Sequence, residues 1–183
     1  MGLDMYLYAE KYVSKNDYSN VNGEYTKTTR PEYMDIKNAA GMGHLPDTEF
    51  GGITVKAQIG YWRKANAIHA WFVDNCANGV DECQPIYVGW ERLTVLLQVC
   101  QQELAVLTEA EVVPLVTATA SAKSAQFEKA QPVSTSLEPR EGFFFGSTDK
   151  DTWYIEDLKH TIEILENALA LEDDYEITYQ ASW

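Results

Sequence analysis

Basic residues are scarce in this chain of 183 residues, where Lys and Arg number 14 against 28 Asp and Glu. The formal net charge is −14 and the pI near 4.5. That deficit argues against direct nucleic-acid binding through a basic face. Cysteine is scarce too. Cys76, Cys83 and Cys100 are odd in number and include no C-x-x-C pair, so neither a disulfide framework nor a thiol redox motif is expected. No apolar run approaches the roughly 20 residues that span a bilayer, and MGLDMYLYAEKYV shows no evident signal peptide. The expectation is a reduced protein of the cytoplasm with no membrane contact.

Several motifs are missing as well. There is no G-x-S-x-G elbow, no paired-histidine motif, no internal repeat, and Gly146-Ser147-Thr148 lacks the Lys and the length of a phosphate loop. Metal binding fails on spacing. His69 and Cys76 lie seven apart, about 10 Å along a helix, and no second His or Cys stands at i+3 or i+4. No catalytic residue, metal or cofactor is therefore assigned.

What remains is the composition of an ordinary globular domain, with 45% hydrophobic and 23% charged residues. A chain of this length buries on the order of 70% of its extended surface without staples. Leu3, Met5, Leu7 and Ala9 alternate with Asp4, Tyr6, Tyr8 and Glu10, the period of a strand. Residues 53–59 and 175–182 alternate similarly, and 86–88 suit a short strand. From Tyr61 a 3.6-residue period places Tyr61, Ala65, Ile68, Phe72 and Cys76 on one stripe, predicting a helix stopped near Asn78-Gly79. Leu93, Leu96, Leu97, Cys100 and Leu104 mark a second helix over about 90–107. Ile155, Leu158, Ile162, Leu165 and Leu169 mark a third, reaching about 171, with Ser147, Thr148, Asp149 and Asp151 as available N-caps. Gly142-Phe143-Phe144-Phe145-Gly146 suits a buried central strand. Residues 14–52 read as a long loop region and 117–141 as a flexible insert. The fold class is α+β: one domain over 1–183, a mixed sheet holding both terminal strands, and about three covering helices.

Two constellations could carry function. In Tyr61–Trp71 the helical projection sets Trp62, Asn66 and His69 on one flank, a stacking face with two polar groups, while Arg63 points nearly opposite the core stripe and Lys64 falls on the other flank, so that one face cannot use them all. In 142–148 the passage into a helix N-terminus would let Ser147, Thr148 or free backbone N–H groups hold an anion, aided by Arg140. The structural alternatives are core-margin polar groups and ordinary capping. A third feature is the acidic C-terminal part, where residues 141–183 carry 2 basic and 11 acidic side chains.

MGLDMYLY at 1–8, GYWRKANAIHAWF at 60–72, and GFFFGST at 142–148 followed by Trp153-Tyr154 and Asp157-Leu158 resemble, in the same order, a family of small uncharacterised proteins of bacteriophages and prophage regions. The resemblance implies host takeover or anti-defence work in the bacterial cytoplasm and transfers no catalytic residue. The leading expectation is a binding protein that sequesters a small phosphorylated, nucleotide-like ligand without turnover. Its ligand-binding residues would be Trp62, Arg63, Lys64, Asn66, His69, Arg140, Ser147 and Thr148. The alternatives are an acidic inhibitor or nucleic-acid mimic gripping a basic host protein, and, third, a small nucleotide-processing enzyme.

Overall fold

The computed structural model describes residues 2–108, 136–142, 145–171 and 174–183. The chain is α+β. Its elements are β1 (Asp4–Ser14), β2 (Asn16–Val21), β3 (Glu24–Thr29), α1 (Pro31–Ala39), β4 (Gly52–Arg63), α2 (Asn66–Cys76), β5 (Ile86–Tyr87), α3 (Trp90–Thr108), α4 (Thr152–Leu169) and β6 (Glu176–Ser182). One sheet has the order β4-β1-β6-β5, so the two terminal strands are neighbours in it, and β2 pairs with β3 separately. Met1–Ala9 with Gln58–Trp183 form one compact unit and Glu10–Ala57 form another.

In the larger unit the alternation of β1 buries Leu3, Met5, Leu7 and Ala9, and that of β6 buries Ile177, Tyr179 and Ala181. Helix α2 is buried at every position from Asn66 to Val73, as befits a helix at the centre of a core rather than on its surface. Phe72 stacks on Tyr179 with ring centroids 4.1 Å apart. Helix α3 buries Leu93, Leu96, Leu97 and Cys100, as the sequence pattern predicts. Helix α4 buries Tyr154, Leu158, Thr161, Leu165 and Ala168, a stripe rotated from the expected one, since Ile155 and Ile162 are only half-buried. Thr161 can sit there because its hydroxyl accepts from the Trp62 indole N–H at 2.9 Å and donates to the Asp157 carbonyl at 2.6 Å. A buried hydroxyl so bonded carries little desolvation penalty.

Two expectations are corrected. The helix drawn from Tyr61 begins instead at Asn66, and Tyr61, Trp62 and Arg63 end β4. The 3.6-residue projection therefore misplaced Trp62. The strand runs on because the N–H of Lys64 donates to the Leu3 carbonyl at 2.8 Å, while α2 has no side-chain N-cap to advertise its start. Among the described residues of 142–146, none lies in a strand: Phe145 N–H closes a turn on the Gly142 carbonyl at 3.1 Å, and Phe143 and Phe144 lie outside the described residues. Of the expected insert, 117–135 also lie outside them. Residues 136–141 are held down, with Leu137 fully buried and Arg140 bonded to Asp74 at 2.6 and 2.8 Å.

The segment 14–52, whose length left short hidden elements or a functional loop as the two readings, contains β2, β3 and α1. An Asn22-Gly23 turn with both φ values positive, at 56° and 87°, joins the two strands, the conformation that a tight hairpin demands. Pro31 opens α1 at a position where its missing N–H costs nothing. Polar bonds dominate this small unit. Buried Lys37 donates to the Leu45 carbonyl at 2.7 Å and to Asp47 at 2.5 Å, and Tyr33 donates to Asp47 at 2.7 Å. These hydrogen bonds, that of Lys37 first, lower the Asp47 carboxyl from 3.8 to about 2. A depressed acid contributes stability that is complete above its unfolded value and is lost as pH falls through the folded one. Pepsin digestion is therefore expected to cut within Glu10–Ala57 at pH 2 but not at pH 4. Asp47→Asn, which strips Lys37 of its counter-ion, should be cut there at both; equal resistance of the two proteins at pH 4 would refute the role given to Asp47.

Candidate functional site

The last residues of β4, the first turn of α2 and the approach to α4 enclose a cleft of about 400 Å³. Arg63, Lys64, Asn66, Ser147, Asp149, Asp151, Trp153, Tyr154 and Asp157 are among its lining residues. Two close approaches shape it. Gly60 lets α4 lie on β4, since a Cβ there would stand 2.5 Å from Ile164 Cγ2. Asn66 then uses its side-chain amide to hold the carbonyls of Phe145 and Ser147, at 3.1 and 2.7 Å, bringing the 145–147 loop to the mouth of the cleft.

The backbone at the floor is unusual. Lys64 has φ +63°, and it faces Gly146, whose own φ is +92°. A left-handed lysine costs on the order of 1 kcal/mol and is held there by its surroundings, here by the bonds from Lys64 N–H to Leu3 and from Asn66 N–H to the Lys64 carbonyl.

Charge pairing is incomplete at this place, as it is at Arg92 on α3, whose Nη1 is buried without a hydrogen-bond partner. In this acidic chain Lys15, Lys27, Arg30, Lys37, Lys56, Arg140, Lys150 and Lys159 each reach a carboxylate. Among the described residues, the exposed side chains of Arg63 and Lys64 have neither ion pair nor hydrogen bond. Trp153, 78% exposed, brings an indole to the same cleft.

The sequence-predicted ligand residues divide accordingly. Arg63, Lys64, Asn66 and Ser147 gather in the cleft. Thr148 is exposed and is not part of its lining. Arg140 stands elsewhere, paired with Asp74 on a second concavity of about 370 Å³. Trp62 and His69 are each only 1% exposed and cannot stack on a ligand. The α4 N-terminus is not open to an anion either, because Asp151 accepts from the N–H groups of Trp153 and Tyr154 at 2.9 and 3.2 Å. Ser147 Oγ donates to Asp149 and accepts the Asp149 N–H, both at 3.1 Å.

His69 instead completes a buried network. Its Nδ1 is 2.8 Å from the Tyr179 hydroxyl and its Nε2 3.0 Å from Asp81, which also accepts from the Trp183 indole at 3.3 Å. Desolvation lowers the His69 pKa, only partly offset by the hydrogen bond to Asp81, and burial pushes the Tyr179 hydroxyl well up. The phenol is thus the donor to Nδ1, and neutral His69 donates from Nε2 to the carboxylate.

Sequence reasoning missed Trp153 and Asp157 as cleft residues, although their i, i+4 spacing on α4 was available. Desolvation raises the half-buried Asp157 carboxyl from 3.8 to about 6. Burial also pushes the Cys76 thiol up to about 12, which leaves it protonated and unreactive at neutral pH. Among the described residues no cluster of three or more His, Cys, Asp and Glu could hold a metal, and no helix is long and apolar enough to cross a membrane. Comparison with protein-family models, with curated proteins and with solved structures returned no significant match.

His69→Ala is expected to be a stability mutation. It leaves Tyr179 and Asp81 without their partner and opens a cavity, together about 2–4 kcal/mol. Calorimetry should show a fall in Tm of roughly 5–15 °C. A Tm within about 2 °C of the parent would contradict the assignment of His69 to the core.

Proposed function

We propose that this protein binds a small, flat, anionic ligand of the nucleotide class in the cleft beside Lys64 and does not turn it over. The observation that carries the reading is the pair of unpartnered cations, Arg63 and Lys64, sharing a cleft of about 400 Å³ with the exposed indole of Trp153. In a chain with twice as many acids as bases, leaving two adjacent cations unpaired forgoes available ion pairs. A phosphate would take both. Trp153 supplies the stacking surface first sought at Trp62, and Arg63 with Lys64 the anion contact first sought at Ser147, Thr148 and Arg140. A volume of this size is within the range of small-molecule sites.

Binding without turnover fits the chemistry of the lining. Neither histidine nor cysteine is among the lining residues, and Ser147 is engaged with Asp149. The strained Lys64 supports a site that is preorganised rather than mobile. The resemblance to phage and prophage proteins supports host takeover or anti-defence as the setting, in which removing a nucleotide signal is a sufficient activity.

Titration with a panel of mono-, di- and cyclic nucleotides, followed by calorimetry and by indole fluorescence, tests this. Saturable binding with recovery of the nucleotide chemically unchanged is the expected result. Trp153→Ala and Lys64→Glu should each weaken it at least about tenfold, in line with one lost stacking or charge-assisted contact, while Tm stays within a few degrees because both side chains are exposed. Absence of binding at millimolar nucleotide, or affinity untouched by both substitutions, would overturn the reading and favour the acidic surface as the functional one.

A further inference from the structure

Three carboxylates line the cleft, and two are consumed by the protein itself. Asp151 caps α4 through the N–H groups of Trp153 and Tyr154, and Asp149 is bonded to Ser147. Asp157 differs. Among the described residues its side chain has no hydrogen-bond partner and no ion pair, although it is half-buried and lines the cleft. A carboxylate drawn out of water with no donor is an unfavourable arrangement, consistent with its pKa being raised to about 6. It accepts hydrogen bonds and, when ionised, donates none.

Its position relative to Trp153 gives it a use. The two are i, i+4 on α4 and share the cleft, which puts their Cβ atoms roughly 5–6 Å apart on one helix face. That is about the span of a heterocycle. A ring stacked on the Trp153 indole therefore brings its edge to Asp157, while Arg63 and Lys64 remain for the phosphate. Only an edge with N–H donors suits a carboxylate. Guanine offers two adjacent donors, at N1 and N2, which match the two carboxylate oxygens. Adenine offers a donor at N6 beside the lone pair of N1, which would face a carboxylate oxygen unfavourably.

We infer that Asp157 is the specificity-determining residue of the cleft and that the ligand is a nucleotide whose base carries adjacent N–H donors, guanine rather than adenine. This rests on the nucleotide reading above and goes beyond it by naming the base. A site whose buried polar group must be matched rejects the analogue that leaves it unmatched far more strongly than an apolar pocket rejects a size change.

The test compares GMP with AMP on the full chain, parent and Asp157→Asn, at pH 7.5 by calorimetry. GMP should bind the parent protein at least about tenfold more tightly than AMP. Asn presents one acceptor and one donor, the pattern complementary to adenine, so Asp157→Asn should lower the GMP to AMP affinity ratio by at least about tenfold. Trp153→Ala should weaken both nucleotides by similar factors and leave the ratio alone. Removing a half-buried carboxylate that has no hydrogen-bond donor does not endanger folding, and the Tm of Asp157→Asn should equal or exceed the parent's. AMP binding as well as GMP, or a ratio unchanged in Asp157→Asn, would overturn the assignment of Asp157 while leaving the nucleotide reading intact. Failure of both nucleotides to bind the parent protein would overturn the two together.

Discussion

The hydrogen bond from the Trp62 indole to the Thr161 hydroxyl, across 99 residues of chain, fixes the part of this molecule on which the cleft depends. It joins the end of β4 to the middle of α4, and it works only because Gly60 lets the helix approach the strand closely enough for Ile164 to lie where a Cβ would be. With α4 held there, its first two turns project Trp153 and Asp157 beside the Lys64 turn. Asn66 then closes the third side by drawing in the carbonyls of Phe145 and Ser147. Each of these constraints is a buried polar group with its partner or a glycine at a contact. Such terms specify geometry as well as contributing stability.

Much of the scaffold was legible because its elements follow the rule of one buried face. β1 and β6 keep a clean period, and on α3 the pattern names Leu93, Leu96, Leu97 and Cys100 correctly, while Leu104 is only half-buried and Val99 is buried in addition. The start of α2 was not legible. Tyr61-Trp62-Arg63 satisfies both a period of two and, with the following residues, a period of 3.6; the tie is broken by a long-range bond from Lys64 to Leu3 that no local window contains. The stripe on α4 was misread by one position because a threonine occupies a core site, and a polar residue there is visible only once its partner Trp62 is known. The hairpin in residues 16–29 is different: Asn22-Gly23 was a local signal, but its strands are exposed throughout β3 and so lack the alternation that would have drawn attention to them.

The candidate site was half legible for a related reason. Arg63, Lys64, Asn66 and Ser147 line one cleft, although a helical projection spreads Arg63 and Lys64 away from Asn66; the end of β4 and the turn at Lys64 are what bring them together. Trp62 and His69 were misjudged because an aromatic or a histidine near a basic pair looks the same in sequence whether it faces a ligand or the core. Burial decides, and burial here follows from the strand assignment. Once Trp62 belongs to β4, its ring must face the sheet's covered side. Once α2 is buried on every face, His69 must find internal partners, which Tyr179 and Asp81 provide.

The remaining argument is one of consistency. Across much of the described chain local preference, capping and charge pairing agree with the fold, as sequences that specify one structure require; Arg92, whose Nη1 is buried without a partner, and Cys83, with φ +58°, are exceptions away from the cleft. Four departures meet at the cleft: a left-handed lysine, a basic pair without counter-ions, an indole left largely in solvent, and a half-buried carboxyl without a donor. Each lowers stability slightly or forgoes an available gain, and among the described residues the side chains of Arg63, Lys64, Trp153 and Asp157 make no hydrogen bond that holds β4, α2 or α4 where they are. The bonds of Trp62, Asn66 and Thr161 already do that. What the four groups have in common is a single cleft in which a stacking face, an anion contact and a hydrogen-bond acceptor converge, the arrangement on which the proposed nucleotide site rests.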